Sequence, residues 1–281
     1  MKPIYRQVLV GRYYPHKTPL PETDYSINPY FGCEAGCRYC YSIYYFKVRS
    51  VGYEWGSYIE AKTYLPREIS RKLHRFEKGA VIAIGTYIDP YQPWEARLKL
   101  TRRILRVLRW RKDLHISIQT RYPLILRDLD LISDGPADIG TSIPSPDREF
   151  TRIFEPRVPS PKARARMLGR FSEEGIETWI YYAPLMPWIN DDPALFEEVV
   201  DMALDNGVKT IYIDIVRFRV GVKPHFLKYL KIYRPELVDK YETLGRKDLY
   251  NWYSKKSREL YEVAKRRGLE MVDAEPMMFK T

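Results

Sequence analysis

Residues 28–41 read Asn28-Pro29-Tyr30-Phe31-Gly32-Cys33-Glu34-Ala35-Gly36-Cys37-Arg38-Tyr39-Cys40-Tyr41. All three cysteines of the 281-residue chain fall in this stretch, spaced C-x3-C-x2-C directly after a β-like run at Tyr25–Tyr30. Random scatter of three cysteines over such a length rarely gives this grouping. Gly32 and Gly36 allow a tight loop to fold back around a bound centre. An odd thiol count argues against a disulfide framework and for metal or redox chemistry.

Outward from this loop, short apolar runs alternate with helical patterns. Strands are expected at Tyr25–Tyr30, Val81–Thr86, Leu114–Thr120, Asp138–Ile143, Glu177–Ala183 and Thr210–Val216. Helical patterns lie near Pro66–Lys78, Trp94–Arg111, Leu124–Ile132, Pro161–Glu174, Pro193–Asn206 and Lys247–Arg267. Pro161 and Pro193 each follow a turn-like residue and suit a first helical turn. Asp191 and Asp192, just before Pro193, read as the start of a helix. Repeated β–α units specify a parallel α/β architecture, a partial or full barrel or a doubly wound sheet, with chemistry at the carboxyl ends of the strands.

Thiolates favour zinc or iron–sulfur clusters. A structural zinc needs four closed ligands, and the nearest histidines, His16 and His74, are remote in sequence. Three thiolates on a four-iron cluster would instead leave one iron open to an exchangeable ligand. A zinc site completed by a distant histidine is the competing reading.

Net charge is +11, with 28 Arg against 19 Lys, which leaves phosphate-bearing partners open. Only four Asn and three Gln accompany 24 Tyr and 21 Pro, a composition that suggests a thermophile and by itself accounts for much of the arginine. No apolar run approaches the roughly 18 residues of a membrane span. The opening MKPIYRQVLVGRYYP lacks the apolar stretch of a signal peptide, so a cytoplasmic location is expected. On the helix near 94–111, Lys99, Arg102, Arg106 and Arg109 form a basic stripe apart from Leu98, Leu105 and Leu108, and are expected to face solvent.

The cysteine spacing, with an aromatic residue before the last Cys, resembles the radical S-adenosylmethionine (SAM) superfamily. The segments NPYFGCEAGCRYCYS (28–42), TYIDPYQPWEARLKLTRR (86–103), ISIQTRYPLILRDLDLI (116–132), TSIPSPDREFTRIFEPRVPSPKARAR (141–166) and YYAPLMPWIND (181–191) resemble, in order, its spore photoproduct lyase-like group. The resemblance runs from about Ser26 to Asn206. It implies a partial (β/α)6 TIM-type barrel with a C-terminal helical extension, divided as an N-terminal segment 1–24, a core 25–222 and an extension 223–281 packed on the core. It implies a [4Fe–4S] cluster on Cys33, Cys37 and Cys40, with SAM chelating the open iron. Reductive cleavage of SAM to a 5′-deoxyadenosyl radical would then remove hydrogen from a substrate that the sequence does not identify.

Carried over residue by residue, the resemblance gives Thr86 and Asp89 to the SAM amino group and Arg121 to its carboxylate. Ser142 goes to the ribose, Ala183 to the adenine edge, and Tyr39 to shielding the cluster and meeting adenine through its backbone. Asp89 before Pro90 also reads as a turn initiator, and Ser142 as a local backbone cap. Glu155 and Arg157 read as a structural ion pair, and Tyr41, Tyr44 and Tyr45 as aromatic packing. An external electron donor of ferredoxin or flavodoxin type is implied, and nucleic acid remains open as a substrate. Where the lyase has a radical-quenching cysteine, the matching position is Gly85, expected to leave space in the pocket. Two alternatives stand beside the general reading: a DNA photoproduct repair lyase, and a non-catalytic metal-stabilised nucleic-acid-binding protein.

Overall fold

The computed structural model describes residues 3–20, 22–50 and 52–274. Of the segments expected at 1–24 and 223–281, residues 1–2, 21 and 275–281 lie outside the described residues. In chain order the first elements are β1 (Ile4–Gln7), β2 (Tyr25–Ile27), β3 (Tyr30–Phe31), α1 (Ser42–Arg49), β4 (Tyr58–Ala61), α2 (Leu65–Lys72) and β5 (Val81–Ile84). There follow α3 (Glu95–Leu98), α4 (Leu100–Leu108), β6 (His115–Gln119), α5 (Leu129–Ile132), β7 (Ala137–Ser142), α6 (Arg148–Phe154), α7 (Pro161–Glu173) and β8 (Glu177–Leu185). The chain continues through α8 (Pro193–Leu204), β9 (Thr210–Ile215), α9 (Val222–Tyr233), α10 (Val238–Thr243), α11 (Arg246–Arg266) and β10 (Glu270–Asp273).

Seven strands form one parallel sheet in the order β10-β9-β8-β7-β6-β5-β2. Parallel neighbours require crossovers, and helices supply them, which makes the architecture a partial TIM-type barrel. Strand residues alternate with period two. Ile82, Ile84, Ile116, Ile118, Ile139, Ile180, Ile211 and Ile213 are fully buried in the core shared with Ile104 and Leu108 of α4, Leu168 and Phe171 of α7, and Phe196 and Val200 of α8. Each such side chain contributes about 1.5–3 kcal/mol by leaving water. The intervening residues Ser117, Gln119, Asp138, Ser142, Tyr181 and Asp214 line the lumen instead. A smaller sheet, β1-β4-β3, holds the start of the cysteine loop.

All six expected strands are present, the first ending at Ile27 before Pro29, so that Tyr30 belongs to β3 in the smaller sheet; β1, β3, β4 and β10 were not among them. Pro161 and Pro193 do open α7 and α8, capped by the side chains of Ser160 and Asp192. The helix expected over 94–111 is split at Lys99, which adopts the left-handed conformation (φ 51°). The cause is Glu95: fully buried, it accepts from the backbone N–H of Leu100 (2.8 Å) and Thr101 (3.0 Å) and so starts a second helix. The basic stripe is corrected at Arg102, which pairs with the fully buried Asp128 (3.0 Å) and with Asp130 (2.8 Å), and at Arg109, which is only 3% exposed. Its guanidinium donates to the carbonyls of Leu114, Leu131 and Ile132, tying three chain segments together where a solvated face was expected.

Candidate functional site

β3 runs straight into the cysteine loop, and its neighbour β4 presses on it. A Cβ at Gly32 would lie 2.0 Å from the Tyr58 carbonyl oxygen, and Gly32 has φ +75°, so only glycine fits. Backbone bonds from Gly36 to Cys33 (3.2 Å) and from Cys40 to Cys37 (3.3 Å) coil the loop, and the Trp55 indole donates to the Cys37 carbonyl (3.1 Å). Glu34 anchors it to flanking elements, accepting from the Tyr5 hydroxyl (2.7 Å) and the Trp94 N–H (2.7 Å).

All three thiols are free; Cys33 and Cys37 are buried and Cys40 partly so. Burial pushes all three up, Cys37 to about 12, while the Arg121 guanidinium pulls Cys37 and Cys40 back down. Nearby N–H groups of Asp89 and Ser42 also lower the Cys33 and Cys40 thiols, while the Ser42 hydroxyl donates to the Tyr87 carbonyl (2.7 Å). Two buried thiolates and a third partly buried are unfavourable without a cation, so the donor set fits a metal centre. Among the described residues no three His, Cys, Asp or Glu side chains converge on a point that could hold one ion. Three separate thiolates of this kind are a donor set that an iron–sulfur cluster takes, each on its own metal.

A cavity of about 550 Å³ opens between this loop and the strand ends. Cys33, Cys37, Tyr39, Cys40, Thr86, Asp89, Arg121, Ser142 and Ala183, the nine residues singled out from the sequence, all line it. The Thr86 hydroxyl sits in a small network with the Ser26 hydroxyl (2.7 Å) and the Asn28 amide (2.9 Å). Asp89 accepts from the Thr120 hydroxyl (2.6 Å), the Tyr91 N–H (2.9 Å) and the Arg121 N–H (2.8 Å). Three of about four acceptor positions are thus occupied, and the carboxylate fixes the segment that carries Arg121. Burial raises its pKa in spite of these bonds. Ser142 accepts from the Gln119 amide (3.1 Å), and Ala183 forms buried wall.

Arg121 carries the main unused binding capacity. Its Nε is buried without a hydrogen-bond partner and lies 3.6 Å from Glu155 Oε1. Glu155 is fully buried, paired with Arg164 (2.6 Å) and hydrogen-bonded by the Tyr39 hydroxyl. Burial alone would raise its pKa, but Arg164 and Arg121 hold it below the usual carboxylate value. The expected Glu155–Arg157 ion pair is corrected. Arg157 instead donates to the carbonyls of Gly56 (2.8 Å) and Glu34 (3.1 Å), bracing the cysteine loop.

Gly85 also departs from expectation. It has φ +96°, and a Cβ there would lie 2.5 Å from the Gln119 carbonyl oxygen and 2.7 Å from Pro90 Cδ. The glycine serves the backbone turn and leaves no pocket space. Tyr41, Tyr45 and Tyr87 form an aromatic group at the rim, with ring centroids 5.9 Å apart for Tyr41–Tyr87 and 5.1 Å for Tyr45–Tyr87.

Sequence reasoning missed the floor and far wall. On the floor, Asp138 accepts from the Trp179 indole (2.6 Å) and the Ser117 hydroxyl (2.8 Å) and pairs with His115 (2.6 Å). Trp179 lies across Gly140, where no Cβ would fit. On the far wall, Asp214 pairs with Arg217 (2.7 Å) and accepts from the Tyr181 hydroxyl (3.0 Å). Their signal was the period-two placement of polar residues inside apolar strands.

The sequence model of the family described as the Radical SAM superfamily matches residues 27–203. The uncharacterized protein MJ0683 of Methanocaldococcus jannaschii is 34% identical over 175 residues, 62% of this chain and 65% of its own length. The chain therefore spans less than two thirds of that relative. The uncharacterized protein Rv2578c of Mycobacterium tuberculosis is 27% identical over 243 residues, covering 84% of this chain and 71% of that one. Spore photoproduct lyase complexed with dinucleoside spore photoproduct superposes with a TM-score of 0.71 at 16% identity, over 96% of this chain and 81% of that one. A mutant of the same lyase with bound AdoMet and the dinucleoside gives 0.66, at 16% identity over 90% and 77%. At such identities these likenesses concern the fold. No helix among the described residues is long and apolar enough to cross a membrane.

Proposed function

Because the chain belongs to the radical SAM superfamily, which uses a [4Fe–4S] cluster and SAM, we propose that it reductively cleaves SAM and abstracts hydrogen from a substrate held in its barrel cavity. The observation that carries this reading is the convergence of three free thiols, an under-paired arginine and four strand-end positions on one cavity. Bound together, cluster and SAM supply a 5′-deoxyadenosyl radical, the species that removes a hydrogen atom from substrate.

Each residue then has a definite task. Cys33, Cys37 and Cys40 would hold the cluster, with N–H groups of Asp89 and Ser42 favouring the thiolates of Cys33 and Cys40. Arg121 presents its fork to the SAM carboxylate, a geometry that favours bidentate pairing. Thr86 offers its hydroxyl toward the amino group, while Asp89 holds the Arg121 segment in place. Ser142 meets the ribose, and Ala183 admits the adenine edge. Tyr39, buried and tethered to Glu155, covers the cluster from water. Trp179 and Asp138 close the floor, so the reacting groups meet in a shielded space.

The test is loading and binding under anaerobic conditions. Reconstituted protein should hold about four irons and four sulfides per chain and bind SAM. A Cys33→Ala/Cys37→Ala/Cys40→Ala variant should lose both. Stoichiometric zinc in the parent protein, with no SAM binding, would overturn the proposal.

A further inference from the structure

The outer face over the cysteine loop carries unbalanced positive charge. Residues 35–53 contain Arg38, Lys47 and Arg49, and residues 215–235 contain six cations; neither stretch has a carboxylate. α1 and α9 bring them onto one face. The Lys47 ammonium donates to the Gly221 carbonyl (3.3 Å), Arg219 donates to the Tyr45 hydroxyl (3.0 Å), and the Arg38 guanidinium lies 4.2 Å over the Tyr229 ring.

Some of these cations have acidic partners: Arg49 pairs with Glu60, Arg217 with Asp214 and Arg234 with Glu236. Among the described residues, Arg38, Lys47, Arg219, Lys228 and Lys231 have no ion-pair partner. His225 lies among them on α9, its Nε2 buried without a hydrogen-bond partner. Burial pushes its pKa down to about 4, and Arg38, Lys47 and Lys228 add to the shift. Val48 and Val220, 72% and 84% exposed, flank the Lys47–Gly221 contact in sequence and add apolar surface to the face.

The position of the face matters as much as its charge. Arg38 follows Cys37 directly, so its side chain is one residue from a proposed cluster ligand. Arg38, Lys47, Lys228 and Lys231 do not line the cavity. The face therefore borders the cluster loop and meets the cavity at Arg219 and Tyr45, while these four cations lie outside it.

We propose that this face docks a small acidic one-electron carrier protein of the flavodoxin or ferredoxin class. The inference rests on the function proposed above. One electron leaves the carrier and one enters the cluster; no bond or proton is exchanged. Charge complementarity of this kind sets encounter rate and register, and exposed apolar residues within a charged rim suit a protein partner better than a phosphate backbone.

The experiment compares the full chain with a Lys47→Glu/Lys228→Glu/Lys231→Glu variant, all exposed positions, and with the milder Gln triple. Binding of a dye-labelled acidic flavodoxin is read by fluorescence anisotropy, and SAM cleavage is driven in parallel by reduced flavodoxin or by dithionite. The Glu variant should bind at least 10-fold more weakly, and the Gln variant should fall between. Wild-type binding should weaken as salt is raised. Flavodoxin-driven cleavage should fall with binding while dithionite-driven cleavage stays unchanged. Equal binding by all three proteins, or no binding by the wild type, would overturn the inference. So would loss of single-stranded DNA affinity in the Glu variant with flavodoxin binding intact. Absence of SAM cleavage with either reductant would count against the proposed function alone, since the binding comparison does not depend on it.

Discussion

Replacing Glu155 with Gln tests the buried network behind the cysteine loop. The side chains of Glu155 and Arg164 are both 0% exposed and lie 2.6 Å apart. Arg121 adds a second cation at 3.6 Å, and Tyr39, between two of the cysteines, donates its hydroxyl to the same carboxylate. Glutamine keeps the shape but removes the charge and turns an amide donor toward one of the donors around it, leaving Arg164 buried without its counter-ion. Removing one partner of such a pair costs about 3–5 kcal/mol. At roughly 2–4 °C per kcal/mol for a domain of about this size, the apparent Tm should fall by roughly 10 °C. The pH dependence follows from the sign of the shift. Glu155 has a folded pKa below its usual value, so its contribution is complete above the unfolded value near 4.3 and is lost as pH falls through the folded pKa. The gap between wild type and variant should be widest at neutral pH and close in acid. Thermal unfolding of the metal-free protein, followed by circular dichroism at pH 7 and at successively lower pH, measures both. A Tm within about 2 °C of wild type at pH 7, or a gap that does not narrow in acid, would refute the reasoning.

Arg121→Ala should weaken SAM binding roughly 10- to 150-fold, the equivalent of a charge-assisted hydrogen bond at 1.5–3 kcal/mol, with iron content retained. Ser142→Ala should cost about 5-fold; unchanged affinity in both variants, by equilibrium dialysis, would move the pocket elsewhere. Gly85→Cys should lower the Tm, because φ +96° and the contacts of 2.5 and 2.7 Å admit no side chain. A variant as stable as wild type would show that the turn after β5 relaxes. With no thiol left outside the cysteine loop, the enzyme should give little repair of the spore photoproduct dinucleotide while still cleaving SAM. Efficient multiple-turnover repair, by chromatography of thymine products, would instead point to Tyr87 as hydrogen donor. Arg109→Met should destabilise far more than Arg106→Met, since Arg109 bonds several buried carbonyls and Arg106 is exposed; equal Tm values would contradict that.

The sequence carried most of the architecture because six strands with near-continuous apolar faces and two Pro-started helices are local signals. It carried the cysteine loop for the same reason: three thiols and two glycines within nine residues leave few other uses. What it hid was tertiary. β1 is exposed along its whole length and is a strand only because β4 lies beside it. Glu95 breaks a helix through backbone bonds that no helical pattern reveals. Arg109 belongs to a basic stripe by spacing and to the interior by contact. Glu155 pairs with Arg164 and not with Arg157, two residues away, because α7 packs its arginine inward. Glycine at position 85 was read as room when it marks the opposite, a crowded turn.

The most direct measurement is product formation from SAM by the reduced, reconstituted protein, resolved by liquid chromatography. 5′-Deoxyadenosine and methionine should appear together in equal amounts, slowly even without substrate, and vanish in the Cys33→Ala variant. Intact SAM after full reduction of a four-iron cluster would contradict the account.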